Sequence, residues 1–77
     1  MTGPDAKYVI LFQAVSYALK AEKILKQEGL THKLIPVPKY ISSDCGICLL
    51  IHADVKDKIV ASLTGKVDIE EIRGLPD

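Results

Sequence analysis

Tyr8-Val9-Ile10-Leu11-Phe12 is apolar at every position. A strand with one face in water alternates apolar and polar residues, whereas an unbroken apolar run is buried on both faces. The stretch therefore reads as a central strand. A second run of this kind, Ile47-Cys48-Leu49-Leu50-Ile51-His52, lies further along and also reads as central. Between them, Thr31-His32-Lys33-Leu34-Ile35-Pro36-Val37-Pro38 is apolar but carries two prolines. Proline has no amide hydrogen to give to a ladder, so this strand belongs at an edge. Val67-Asp68-Ile69-Glu70 alternates, as a half-buried edge strand does.

Two helical segments fill the gaps. Ser16 is an expected N-cap, and strong helix formers follow to Glu28. Ala18, Ala21 and Leu25 fall on one stripe, with Tyr17 and Ile24 beside it; Lys20, Lys23 and Gln27 face away. Gly29 is a natural stop. In the second segment Asp54 is the expected cap, with Asp57 three residues on in a capping-box-like arrangement. Ile59, Val60 and Leu63 supply its buried face, and Gly65 ends it. Residues 39–46 read as a loop and residues 74–77 as a tail.

The resulting order, β-α-β-β-α-β, suits an α+β, ferredoxin-like βαββαβ two-layer sandwich with an antiparallel sheet in the order 4-1-3-2. That order puts strands one and three at the centre and strands two and four at the edges, in agreement with the apolar runs and the prolines. The helices cover one sheet face. The other carries too many apolar residues for open water, so a partner, most simply a second copy in a homodimer, is expected to cover it. Right-handed crossovers bring three segments to one end of the sheet. These are the loop after strand one (Gln13 to Ser16), the loop after strand two (Lys39 to Gly46), and Gly65-Lys66.

Seventy-seven residues make a single domain, 1–77, with an ordered core over about 7–73. The 48% hydrophobic content argues against disorder. Lys+Arg and Asp+Glu both number 10, so no bulk charge recruits nucleic acid or an anionic membrane. The polar start, Met1 to Asp5, and the brevity of the first apolar run speak against a signal peptide or a membrane span. The expected location is cytoplasmic. In a reducing compartment, two cysteines three apart are free thiols, a redox pair or half of a metal site rather than a structural staple.

The cysteines lie in Ser42-Ser43-Asp44-Cys45-Gly46-Ile47-Cys48. Cys45, in a polar loop and followed by a glycine, can be approached closely. A thiolate there could attack a sulfur donor, hold a persulfide or exchange disulfides. Asp44 disfavours the thiolate; Lys39, Lys66 and the start of the first helix would offset it. The plainer reading is a small residue at a turn. Cys48 falls inside the third strand and reads as core. A thioredoxin-like Cys-x-x-Cys opens a helix, whereas this one runs into a strand. A zinc site would have only His32 and His52 to add, and His52 lies at the far end of its strand, so no metal site is expected. His32 is expected to be solvated at the start of an edge strand, and His52 to sit near Asp54. Lys20, Lys23 and Lys26 suit a solvated helix face. Ser42 and Ser43 have no His/Asp relay, and there is no glycine-rich phosphate loop and no cofactor motif.

Several of these stretches resemble a small bacterial family of selenium/sulfur carrier-like proteins. They are Tyr8 to Phe12, Ala21-Glu22-Lys23-Ile24-Leu25-Lys26, Leu34-Ile35-Pro36-Val37-Pro38 and above all Ser42-Ser43-Asp44-Cys45-Gly46. The resemblance spans roughly residues 7–73. It implies that Cys45 is a carrier thiol that accepts sulfane sulfur or selenium from a donor protein and passes it to an acceptor protein. Ser42, Ser43, Asp44 and Gly46 would shape the loop, and Gln13 and Ser16 at the helix start would help hold negative charge. Similar domains occur fused behind carriers related to the tRNA-thiolation sulfur carrier. Those carriers use a Cys-Pro-x-Pro motif that is absent here, so their mechanism does not transfer directly. Two other readings stand beside the carrier, which is itself not an enzyme. One is a dimeric binding or regulatory module in which Cys45 is incidental. The other is a small thiol redox protein using Cys45 and Cys48.

Overall fold

In a computed structural model, which describes residues 6–41 and 46–75, six elements follow in the order β1 (Lys7–Leu11), α1 (Val15–Glu28), β2 (Lys33–Pro36), β3 (Ile47–His52), α2 (Ala53–Leu63) and β4 (Glu71–Gly74). The strands form one antiparallel sheet in the order β2-β3-β1-β4, which is 4-1-3-2 counted from the opposite edge. The architecture is α+β and broadly ferredoxin-like. The unbroken apolar runs occupy the two central places, and the proline-bearing strand is an edge. Pro36 is the last residue of β2 and lies opposite Ile47, where no further ladder donor is required of it.

The sheet divides its apolar residues by alternation. On one face Ile10, Phe12, Leu49 and Ile51 pack against Ala18, Ala21 and Leu25 of α1 and Ile59 and Leu63 of α2. All nine are fully buried. The expected stripe of α1 is therefore the buried one; Lys20, Lys23 and Gln27 are exposed, and Tyr17 is at the margin of the stripe with 39% exposure. Val60 of α2 is only half-buried. Gly29, at φ +70°, ends α1 in the left-handed region that a residue with a Cβ enters at a cost. Its N–H bonds the Lys26 carbonyl and that of Leu30 the Leu25 carbonyl, the crossed pair that closes many helices.

The other face holds Val9, Leu11 and Cys48, all fully buried, with Ile35 and Leu50 beside them. It is not left open. Ile41 from the β2–β3 connection is 4% exposed and joins this cluster, and Val37 and Leu75 pack against it. The chain's own connection and C-terminal segment thus cover part of the face for which a second copy was expected, while Ile35, Val37, Leu50 and Leu75 stay half-buried.

Four local boundaries differ from the sequence reading. Helix α1 starts one residue before Ser16, and its N-cap is Ala14, extended at φ −146° with no side-chain cap bond. The Ala14 carbonyl takes the Tyr17 and Ala18 N–H groups, so the backbone starts the helix without a serine. Helix α2 begins at Ala53, with His52 as N-cap and Asp54 inside the first turn. There Asp54 still suits the positive end of the helix dipole. Strand β2 is confined to Lys33–Pro36, leaving Thr31, His32, Val37 and Pro38 outside it. The last strand is Glu71–Gly74, not Val67 to Glu70. Val67 is buried in the helix-side core, and its N–H is bonded to the Leu63 carbonyl in the turn that ends α2. The alternation at 67–70 is thus helix-exit packing. The ladder begins as the Glu70 N–H reaches the Leu11 carbonyl, and Ile72 is the inward residue.

Gly74, read as tail, lies opposite Tyr8 in the ladder. A Cβ at Gly74 would lie 3.4 Å from the Tyr8 ring, in ordinary van der Waals contact with it. Lys56 stands 4.9 Å from the ring centroid on α2, a cation–π contact. Residues 1–5 and the last two of the expected tail, Pro76 and Asp77, lie outside the described residues.

Candidate functional site

The β2–β3 connection is tied at both ends. Val37, just past Pro36, gives its N–H to the Gly46 carbonyl at 3.1 Å, which adds one rung beyond the ladder. Gly46 sits at φ +81°, with open space where a Cβ would be. The requirement for glycine there is conformational rather than steric. Within the connection, the Ile41 N–H bonds the Pro38 carbonyl at 2.9 Å. This turn sends neighbouring side chains opposite ways: Ile41 goes into the second core and Tyr40 out to 63% exposure. Lys39 is exposed. Ser42, Ser43, Asp44 and Cys45 lie outside the described residues. By covalent connectivity they join Ile41 to Gly46.

The connection lies at the sheet end where Leu11 faces Cys48 and Pro36 faces Ile47. The start of α1 is at the same end, since it follows β1 directly, and so is the exit of α2 that precedes Glu71. Gln13 and Ser16 are both exposed there, as is Lys66. The first turn of α1 contains no acidic residue, so its partial positive charge is not offset by a side chain of that turn. The expected convergence of three segments on one end of the sheet is thus the observed topology.

Cys48 occupies the middle of β3, opposite Leu11 on one side and Ile35 on the other, and is fully buried. It packs in the second core, as a small apolar residue does. His32 is not solvated as expected. Its side chain is 7% exposed; Nδ1 lies 2.8 Å from the Leu30 carbonyl and Nε2 lies 3.8 Å from Glu22 Oε2. It fastens the link between α1 and β2. His52, exposed, is at the opposite end of β3 from Gly46. Among the described residues no three His, Cys, Asp or Glu side chains gather to hold a metal ion, and no helix is long and apolar enough to cross a membrane.

The residue that sequence reasoning missed is Ile41. It falls within the stretch that reads as a loop, where it is the single aliphatic side chain in residues 39–45. An aliphatic residue at that place, next to a sheet with one uncovered apolar face, is the signal that could have found it.

Comparison with known proteins bears on this end of the molecule. The model of a family described as "Putative Se/S carrier protein-like" matches residues 7–73, a span that includes the β2–β3 connection. A protein of Aquifex aeolicus (strain VF5) named "Putative sulfur carrier protein" is 35% identical over 63 residues, which are 80% of this chain and 32% of that protein. The chain thus spans about a third of the length of the curated relative it matches. No solved structure matches.

Proposed function

The chain belongs to the family of Se/S carrier-like proteins, and on that premise we propose that it carries sulfane sulfur, or selenium, on Cys45. The observation that carries the reading is the extent of the family match. It runs through Ser42-Ser43-Asp44-Cys45-Gly46, the stretch that follows the buried Ile41 and ends at Gly46, whose carbonyl accepts the Val37 N–H. Reactive groups are commonly found on loops of this kind, positioned by a rigid scaffold.

The chemistry balances without an oxidant. The Cys45 thiolate attacks the outer sulfur of a donor persulfide. A Cys45–sulfur bond forms, the donor's S–S bond breaks, and the donor thiolate leaves. An acceptor thiolate then attacks the outer sulfur now on Cys45, and Cys45 leaves as thiolate. Sulfur moves at a constant oxidation level, and the protein returns to its starting state. Ser42, Ser43, Asp44 and Gly46 shape the approach. Gln13 and Ser16, with the start of α1, favour the negative charge held at that end. A soluble protein in the cytoplasm, exchanging with donor and acceptor proteins and requiring no cofactor, fits this cycle. The buried place of Cys48 in a central strand supports a one-thiol cycle over a Cys45–Cys48 redox pair.

The test is to load the protein with a cysteine desulfurase and isotopically labelled cysteine and to read the intact mass. Wild-type protein should gain one labelled sulfur on Cys45, removable by a reducing thiol, and Cys45→Ser should gain none. Absence of the adduct on wild-type protein, under conditions that load a known carrier, overturns the reading.

A further inference from the structure

We propose that the helix-free face of the sheet, at the end away from Gly46, docks an acidic segment of a partner protein. The surface is formed by Lys7, Lys33, His52 and Arg73 around Ile35 and Leu50. It draws on the four strands alone and does not depend on the carrier reading, beyond which it goes.

Alternation fixes which side chains share this face. Val9 and Leu11 of β1, Cys48 and Leu50 of β3, and Ile35 of β2 belong to the cluster on the helix-free side. Lys7, His52 and Lys33 stand two residues from Val9, Leu50 and Ile35 on the same strands, so they point to the same side. On β4, Ile72 packs on the helix side, which leaves Glu71 and Arg73 on this one. The register then draws the basic residues into a band. Lys7 faces His52 directly. Lys33 faces Leu50 and so lies diagonal to His52. Arg73 faces Val9, diagonal to Lys7. Each strand contributes one member, with neighbours about 5–8 Å apart. All four are exposed.

Charge is segregated here. The chain as a whole has 10 basic and 10 acidic residues, yet Glu71 is the one acidic residue in the four strands. It lies 3.6 Å from Arg73 Nε, and the two side chains are about half exposed, so water screens the pair and Arg73 stays available. Among the described residues neither Lys7 nor Lys33 is in an ion pair. Beside them Ile35 and Leu50 are only half-buried. Apolar surface bordered by cations is the make-up of a protein-docking patch, and an acidic segment with interspersed aliphatic residues complements both parts.

The same features disfavour other occupants. A second copy on a two-fold axis would set the band against itself or against the connection end, where Lys39 is exposed, like charge on like. A single nucleic-acid strand binds by stacking its bases on aromatic rings. Tyr8, the one Phe, Tyr or Trp in the strands, packs on the helix side.

The probe is a fluorescein-labelled synthetic peptide of glutamates with interspersed leucines, titrated against the full chain at low salt and followed by anisotropy. In parallel, a carbodiimide couples its carboxylates to lysine amines, and the sites are mapped by peptide mass. Coupling should favour Lys7 and Lys33 severalfold over Lys20, Lys23 and the chain's other lysines. Lys7→Glu/Lys33→Glu should weaken binding at least about tenfold. Lys20→Glu/Lys23→Glu, with the same change in net charge, should leave it unchanged. A peptide with serine in place of leucine should bind more weakly. Far-UV circular dichroism checks that each variant is folded; if Lys7→Glu/Lys33→Glu is not, Lys7→Ala/Lys33→Ala decides in the same way. Absence of saturable binding, coupling spread evenly over the lysines, or equal loss in both double variants overturns the proposal. So does tighter binding of an oligothymidylate than of the peptide, or a dimer in sedimentation that Lys7→Glu/Lys33→Glu dissociates. None of these readouts involves sulfur loading, so the carrier reading stands or falls separately.

Discussion

The two faces of the sheet are closed by different means. On one, helices α1 and α2 lay a regular apolar surface over Ile10, Phe12, Leu49 and Ile51. On the other, Val9, Leu11 and Cys48 are covered by irregular chain: Ile41 and Val37 of the β2–β3 connection, and Leu75 beyond β4. Helical cover satisfies its own backbone hydrogen bonds and packs many side chains at once. Irregular cover relies on single side chains and a few isolated bonds, such as Val37 to Gly46 and Ile41 to Pro38. The helix side therefore supplies most of the stability. Opening the connection side leaves the larger core intact.

The contrast can be broken by substitution. Leu25→Ala, in the centre of the helix-side core, should cost about 3–4 kcal/mol. That is a large share of the roughly 5–15 kcal/mol available to a small domain, and urea unfolding monitored by circular dichroism should show the midpoint collapse. Ile41→Ala should cost less, about 2 kcal/mol, because an irregular connection can settle partly into the space left behind. A loss for Ile41→Ala equal to that for Leu25→Ala would mean that the two covers act as one cooperative unit.

Gly46→Ala sharpens the comparison further. The added methyl meets nothing, so the whole effect is that of forcing φ +81° on a residue with a Cβ, about 1 kcal/mol. A loss well above this by the same urea titration would show that the connection contributes more to the fold than its few described bonds suggest. Hydrogen exchange offers a test without mutation. The Ile41 amide should exchange faster than that of Leu49 at the same pH and temperature, since local opening frees the first and only global unfolding frees the second. Equal protection would remove the distinction between the two faces.

Much of this molecule was legible from residue pattern alone. Two non-alternating apolar runs and a proline-bearing segment identified the central strands and the β2 edge, because burial on both faces and the lack of a proline donor are local properties of the chain. The stripe Ala18, Ala21, Leu25 located the buried side of α1 for the same reason. The Ser42 to Gly46 stretch was singled out by its composition, and its resemblance to a carrier family is borne out by the family match.

What pattern could not settle was which of two compatible local states the neighbours would select. Val67 to Glu70 alternates as a strand does, but the end of α2 needs Val67 in the core, so the ladder starts at Glu71. Gly74 has the look of a tail residue, yet it is paired with Tyr8 as the last residue of β4. His32 resembles a solvated strand end until Leu30 and Glu22 are brought around it. The cover of the second face was likewise a tertiary decision. Sequence established that the face is apolar and must be hidden. Only the folded chain determined that Ile41 and Leu75 hide it, because whether a connection turns inward depends on the surface it finds beside it rather than on its own composition.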